Sequence, residues 1–191
     1  MRLLNAFQLR YRNDWQYSVL CEASAYINLK QVLGLDNRGI LRTGKGTMST
    51  AVVYEPFESP PDFYIPSLNL FVEVTHSKLS MFESYSRCSR LRTEDGRPLP
   101  PVPHLFIRHG KYLEAREQRR LLRTVFASVN PADGSILYIP AKKLERYPLV
   151  EGYEEGGEPY FAVPWNATHW WKPAELRTWV LKEAGSCRRS S

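Results

Sequence analysis

The chain has 191 residues, 43% hydrophobic and 13% aromatic, which suits one domain with a real core and excludes a wholly disordered chain. No apolar run approaches the ~20 residues of a membrane helix, and three cysteines (Cys21, Cys88, Cys187) are too few and too scattered for a disulfide framework or a zinc knuckle. The net charge is +6, and it is concentrated in residues 61–150, where 14 basic residues meet 9 acidic ones. A basic middle points to a polyanionic partner, with nucleic acid the first candidate. Residues 1–15 contain no uninterrupted apolar stretch of the kind that directs secretion, so a reducing, cytoplasmic setting is expected.

In chain order, residues 14–33 read as a helix that Asp14 can cap and Gly34 ends. Residues 39–49 (GILRTGKGTMS) form a flexible basic loop, and residues 51–54 a short strand. Residues 63–65 and 70–75 read as two strands around a turn at Pro66-Ser67-Leu68-Asn69. A helix over 79–91, a proline-rich loop over 93–103 and a strand over 104–109 (HLFIRH) follow. The spacing then predicts a helix over 112–129, stopped by Asn130-Pro131. Strands over 136–139 and 159–163 are separated by an acidic loop, and a last helix spans 173–184 with proline in its first turn. This order predicts an α/β fold, a central mixed β-sheet flanked by helices. Residues 1–135 form its core, and residues 136–191 are a small C-terminal β/α extension packed on it.

Two acids stand out in the 63–75 hairpin. If the chain turns about Ser67-Leu68, Asp62 and Glu73 face each other directly, with Cβ atoms roughly 4.5–5.5 Å apart. Like charges at that spacing repel unless something lies between them, and a hard divalent cation would turn the repulsion into ligation. Glu73 sits in an otherwise apolar strand (Phe71, Val72, Val74). The alternative is an edge-strand glutamate facing solvent, and a one-residue slip would send the two acids to opposite faces. Glu22 is a third acid of interest. It fills the gap in an apolar line through Trp15, Val19, Tyr26, Leu29 and Leu33, unless the true stripe runs through Leu20, Ala23 and Ile27.

The ordered set Ser18-x-x-x-Glu22, Tyr54-Glu55-Pro56-Phe57, Pro61-Asp62-Phe63-Tyr64-Ile65-Pro66 and Phe71-Val72-Glu73-Val74, followed by a helix and the strand HLFIRH, resembles the PD-(D/E)XK, or restriction-endonuclease-like, nucleases. The closest likeness is to the compact members found in phages and mobile elements, and it covers about half the chain. The resemblance implies that Asp62 and Glu73 hold Mg2+ (or Mn2+), that Glu22 completes the metal set from the helix, and that the reaction is endonucleolytic hydrolysis of DNA. The family's usual lysine lies two residues after the glutamate, where this chain has Thr75. Threonine can hydrogen-bond a water but brings no charge. Lys78 is the nearest replacement and joins Asp62, Glu73 and Thr75 in the expected catalytic set; Lys45 and Arg87 are alternatives.

Arg116, Arg119, Arg120 and Arg123 would share one face of a helix over 112–129, either as phosphate contacts or as a solvated face balanced by Glu114 and Glu117. With Lys45, Arg87 and Arg90 they are the candidate nucleic-acid contacts. The loop around Lys45 lacks the phosphate-loop spacing, so a nucleotide triphosphatase is not expected. Trp165, Trp170, Trp171 and Trp179 suit base stacking, a core, or the interface of a homodimer. The leading expectation is a divalent-metal-dependent endodeoxyribonuclease that uses no membrane. A catalytically inactive nucleic-acid-binding or assembly subunit on the same fold is the alternative.

Overall fold

A computed structural model describes residues 6–43, 61–76, 88, 90–129, 135–151 and 158–187. Helix α1 (Ala6–Leu33) begins eight residues before Asp14, because residues 6–13 contain neither glycine nor proline to stop it; Asp14 lies inside the helix and is no cap. Gly34 ends it at φ +66°, a left-handed conformation that glycine adopts without a Cβ clash. Cys21, Ala25 and Leu29 form the buried face of α1, while Leu20 and Ile27 are exposed. The stripe through Leu20, Ala23 and Ile27 is therefore not the packed one.

Strands β1 (Leu41–Arg42), β2 (Phe63–Ile65) and β3 (Leu70–His76) form an antiparallel meander. β1 lies within what reads from sequence as a loop. The β2–β3 register is the one expected, with Phe63 opposite Val72, Tyr64 opposite Phe71 and Ile65 opposite Leu70. Pro66 opens a single 3-10 turn and Asn69 closes it in a left-handed conformation (φ 46°), so the turn chemistry sets the register.

The largest departure from expectation lies between residues 109 and 129. In place of one helix over 112–129 there is a short helix α2 (His109–Glu117), a 3-10 turn (Leu121–Arg123) and strand β5 (Thr124–Val129). All six residues of β5 are buried. A strand covered on both faces reads as a continuous apolar run, and Leu122, Val125, Phe126 and Val129 happen to match helical spacing as well. β5 runs parallel to β3 and antiparallel to β6 (Ile136–Pro140), giving a five-stranded mixed sheet in the order β1-β2-β3-β5-β6. Strand β4 (His104–Arg108) does not enter that sheet. It pairs with β8 (Tyr160–Pro164), which pairs with β7 (Leu149–Val150), in a separate antiparallel sheet.

Alternation along the strands sorts the core into layers. Phe63, Ile65, Val72, Val125, Ala127 and Tyr138 meet α1 and the last helix, α3 (Pro173–Cys187), through Cys21, Ala25, Leu29, Leu176 and Val180. On the opposite face Phe126 and Ile139 meet Ile107, Tyr112, Leu144, Phe161 and Val163 of the second sheet, α2 and a 3-10 turn at Ala141–Arg146. Trp170 is buried and donates its indole N–H to the Pro164 carbonyl at 2.9 Å. Trp171 and Trp179 pack on each other at 5.3 Å against the first core, and Trp165 is largely exposed. The strand expected at 51–54 and most of the helix expected at 79–91 lie outside the described residues.

Leu29 is fully enclosed between α1 and the sheet. Leu29→Ala is expected to lower unfolding stability by about 3 kcal/mol, whereas Leu20→Ala, on the exposed side, should change it by less than about 0.5 kcal/mol. Urea unfolding of both variants checks this, and equal losses would contradict the layer assignment.

Candidate active site

Asp62 immediately precedes β2. Thr43 pins the backbone there, donating its N–H to the Asp62 carbonyl (3.1 Å) and its hydroxyl to the Pro61 carbonyl. Extending the β2–β3 register by one residue sets Asp62 opposite Glu73, on the sheet face turned away from α1. One Asp62 oxygen, Oδ2, accepts the Val74 N–H at 2.7 Å. Glu73 is 1% exposed. Burial, and then the neighbouring Asp62, push its pKa up to about 8. Burial pushes Asp62 up as well, against the Val74 N–H and the charges of Lys111, Arg120 and Arg108.

Two cations answer Glu73, one at each end of α2. Lys111 Nζ, in the first turn, lies 3.6 Å from Oε2; Arg120 Nη2, just past the last turn, lies 3.2 Å from Oε1. Lys111 also pairs with Glu114 at 3.3 Å. Burial opposes the Lys111 charge, yet Glu73, Asp62 and Glu114 outweigh it and hold its pKa above the ordinary value. The end of α2 explains how Arg120 arrives. The Arg120 N–H bonds the Ala115 carbonyl (2.9 Å), the Arg119 N–H bonds the Arg116 carbonyl (3.1 Å), and Arg119 takes a left-handed φ of 56°. This paired closing turn reverses the chain and carries Arg120 inward, over the Phe71 ring at 5.5 Å.

The arginine face expected at 116–123 does not form, because the helix that would have aligned those residues stops at Glu117. Arg120 is buried at 4% exposure and bound to Glu73, which corrects its assignment as a surface contact for nucleic acid. Arg123 lines a small cleft with Leu68, Leu70, Trp179 and Val180 on the α3 side of the sheet. Arg116 and Arg119 are exposed, with Arg116 over the Tyr112 ring. Arg90 is described and exposed, whereas Lys45, Lys78 and Arg87 lie outside the described residues.

Thr75 donates its hydroxyl to the Phe106 carbonyl (3.3 Å), joining β3 of the central sheet to β4 of the second. Glu22 is half-buried on α1, in the layer on the opposite face of the sheet, where its charge helps raise the Cys21 pKa, itself pushed up to about 11 mainly by burial. Among the described residues no group of three or more His, Cys, Asp or Glu side chains stands ready to hold an ion; Asp62 and Glu73 come as a pair. The pair still suits a hard cation. Its donors are two carboxylates forced together in a desolvated pocket, and Glu73 Oε2 is buried without a hydrogen bond. Lys111 was not anticipated from sequence. The one pointer was its place in the first turn after the HLFIR strand.

Glu73 keeps its proton in the fold up to about pH 8 and loses it in the unfolded chain near the ordinary 4.5. Between those values unfolding releases a proton, so stability falls as pH rises through the window. Glu73→Gln should remove much of that slope. In chelator, the variant is expected to gain on the wild type from pH 5 to pH 9 by on the order of 1–3 kcal/mol. Urea unfolding at a series of pH values checks it; a difference independent of pH would contradict it.

No family model matches this chain, and no curated protein matches it. Among solved structures its fold is similar to that of D212, a nuclease from a fusselovirus, with a TM-score of 0.52 over 97% of this chain and 99% of that one, at 17% sequence identity. No described helix is long and apolar enough to cross a membrane.

Proposed function

We propose that this protein is a divalent-metal-dependent nuclease that hydrolyses phosphodiester bonds of DNA, of the PD-(D/E)XK type. The observation that carries the reading is the enclosed pair Asp62–Glu73 with the Lys111 ammonium against it, on a fold similar to that of a viral nuclease. Asp62 and Glu73 would hold Mg2+ or Mn2+, which when bound supplies Lewis acidity toward a phosphate oxygen and a water made acidic enough to attack. The chain's own groups do the rest. The Val74 N–H fixes the Asp62 carboxylate, and Arg120 fixes that of Glu73 and keeps a positive charge at the pocket floor. Lys111 stands beside both carboxylates with about a quarter of its side chain exposed, where its charge can stabilise the negative charge that grows on a phosphate as a water adds to it.

Thr75 in the usual lysine position would favour an inactive relative if nothing else brought a cation to the acids. In this chain Thr75 bridges two sheets, and Lys111 brings the positive charge from α2. A homodimer remains a reading of the aromatic segment alone, and its one largely exposed tryptophan is Trp165.

Purified protein is expected to cleave DNA in Mg2+ or Mn2+ and to stop in chelator. Asp62→Asn and Glu73→Gln should each abolish cleavage while leaving the circular dichroism spectrum intact, and Lys111→Ala should lower kcat by about 10²–10³-fold. The assay is a panel of single-stranded, duplex, branched and RNA substrates. Salt-sensitive binding with no turnover in any metal would establish the inactive subunit instead, and full activity in Lys111→Ala would remove that residue's role.

A further inference from the structure

Among the described residues three cations bear on the acid pair, and their side chains differ in how much water they meet. Arg120 is 3% exposed, Lys111 27% and Arg108 56%. Arg120 and Lys111 are engaged with Glu73 itself. Arg108, the last residue of β4, lies two residues beyond Phe106, whose carbonyl takes the Thr75 hydroxyl, and its charge lowers the Asp62 pKa against the effect of burial. It is thus the most exposed of the three cations whose charge is felt by Asp62.

Arg108 is also held in place. Glu158 Oε2 accepts both its Nε–H (2.8 Å) and its Nη2–H (2.6 Å), while Oε1 of the same carboxylate accepts the Gly110 N–H at 3.0 Å. Gly110 permits that approach. A Cβ at position 110 would come within 2.5 Å of Glu158 Oε1, so any larger residue displaces the carboxylate. Glu158 takes one edge of the guanidinium plane. Among the described residues the other edge, which carries Nη1, makes no hydrogen bond or ion pair, and a planar fork with such an edge is suited to a phosphate.

Resting on the nuclease reading, we propose that Arg108 binds a backbone phosphate of the DNA adjacent to the one being cleaved, and that Glu158 is the positioning residue that aims it. The acid pair acts on the scissile phosphate, and Arg108 sets where the rest of the strand lies. The substrate class that follows is a polynucleotide with at least one phosphate beyond the scissile one, in preference to an isolated diester.

The test compares a DNA oligonucleotide with bis(p-nitrophenyl) phosphate, a diester that has no neighbouring phosphate, both with Mn2+. Arg108→Gln should raise the oligonucleotide KM about tenfold with kcat within about twofold. It should reduce the ratio of kcat/KM for oligonucleotide to that for the small diester by a similar factor, and flatten the dependence of log KM on log salt by about one phosphate. Gly110→Ala moves Glu158 without changing any charge and should shift KM in the same direction by a smaller factor; Arg108→Lys should recover only part of the loss. Equal losses on both substrates, or an unchanged salt slope, would overturn the proposal and leave the nuclease reading standing. Wild-type protein inert toward both substrates would overturn the nuclease reading and this inference with it.

Discussion

Two carboxylates facing each other in a desolvated pocket are unstable together, and β3, α2 and the turn that closes α2 are arranged around that fact. Burial raises both pKa values, and Glu73 is raised further by Asp62. Structure around the pair supplies the opposing terms: a backbone N–H to Asp62 and two cations to Glu73. A buried acid set against cations in this way adds little net stability, because the cost of desolvating these groups offsets their attraction. Its presence therefore argues for a site and against a device for holding the fold together, which the apolar layers on either side of the sheet already do.

The positive groups divide the work by depth. At the floor, Arg120 is enclosed by Phe71 and the end of α2, bonded to Glu73 and with its charge felt by Asp62. Lys111 is half-way out, 3.6 Å from Glu73 and with Asp62 also acting on its charge. On a strand crowded by the second sheet, residue 75 has a different task, because its hydroxyl closes the seam between β3 and β4. A lysine there would have to break that hydrogen bond. Charge delivered from α2 leaves the seam intact.

Residues that interact locally gave themselves away in the sequence, and those that meet across layers did not. The β2–β3 hairpin could be registered because proline and asparagine define its turn and the alternation of Phe63, Ile65, Leu70 and Val72 marks one face. From that register the opposition of Asp62 and Glu73 follows. Thr124–Val129 reads as helix because a strand buried on both faces loses the alternation that identifies strands. Helical spacing there places four arginines on one face and conceals the turn that sends Arg120 inward. Lys111 belongs to an element whose contact with β3 depends on a second sheet, and no local pattern announces it. Glu22 joins the other acids through its helix spacing and through the family resemblance, and neither says which side of a sheet that helix will cover.

Glu73 grips α2 near both ends, at Lys111 and at Arg120, so this nine-residue rod of roughly 13 Å is clamped like a beam on two supports. Tyr112, one residue beyond the first support, passes its hydroxyl to Glu145 at 2.6 Å on the far side of the same layer. Both supports bear on the same carboxylate, so the Glu73 position fixes the two ends of α2 together, and Tyr112 extends that tie to Glu145. The acid pocket and the turn at Ala141–Arg146 are thus tied twice, through α2 and through the β3-β5-β6 run of the central sheet that leads into the turn.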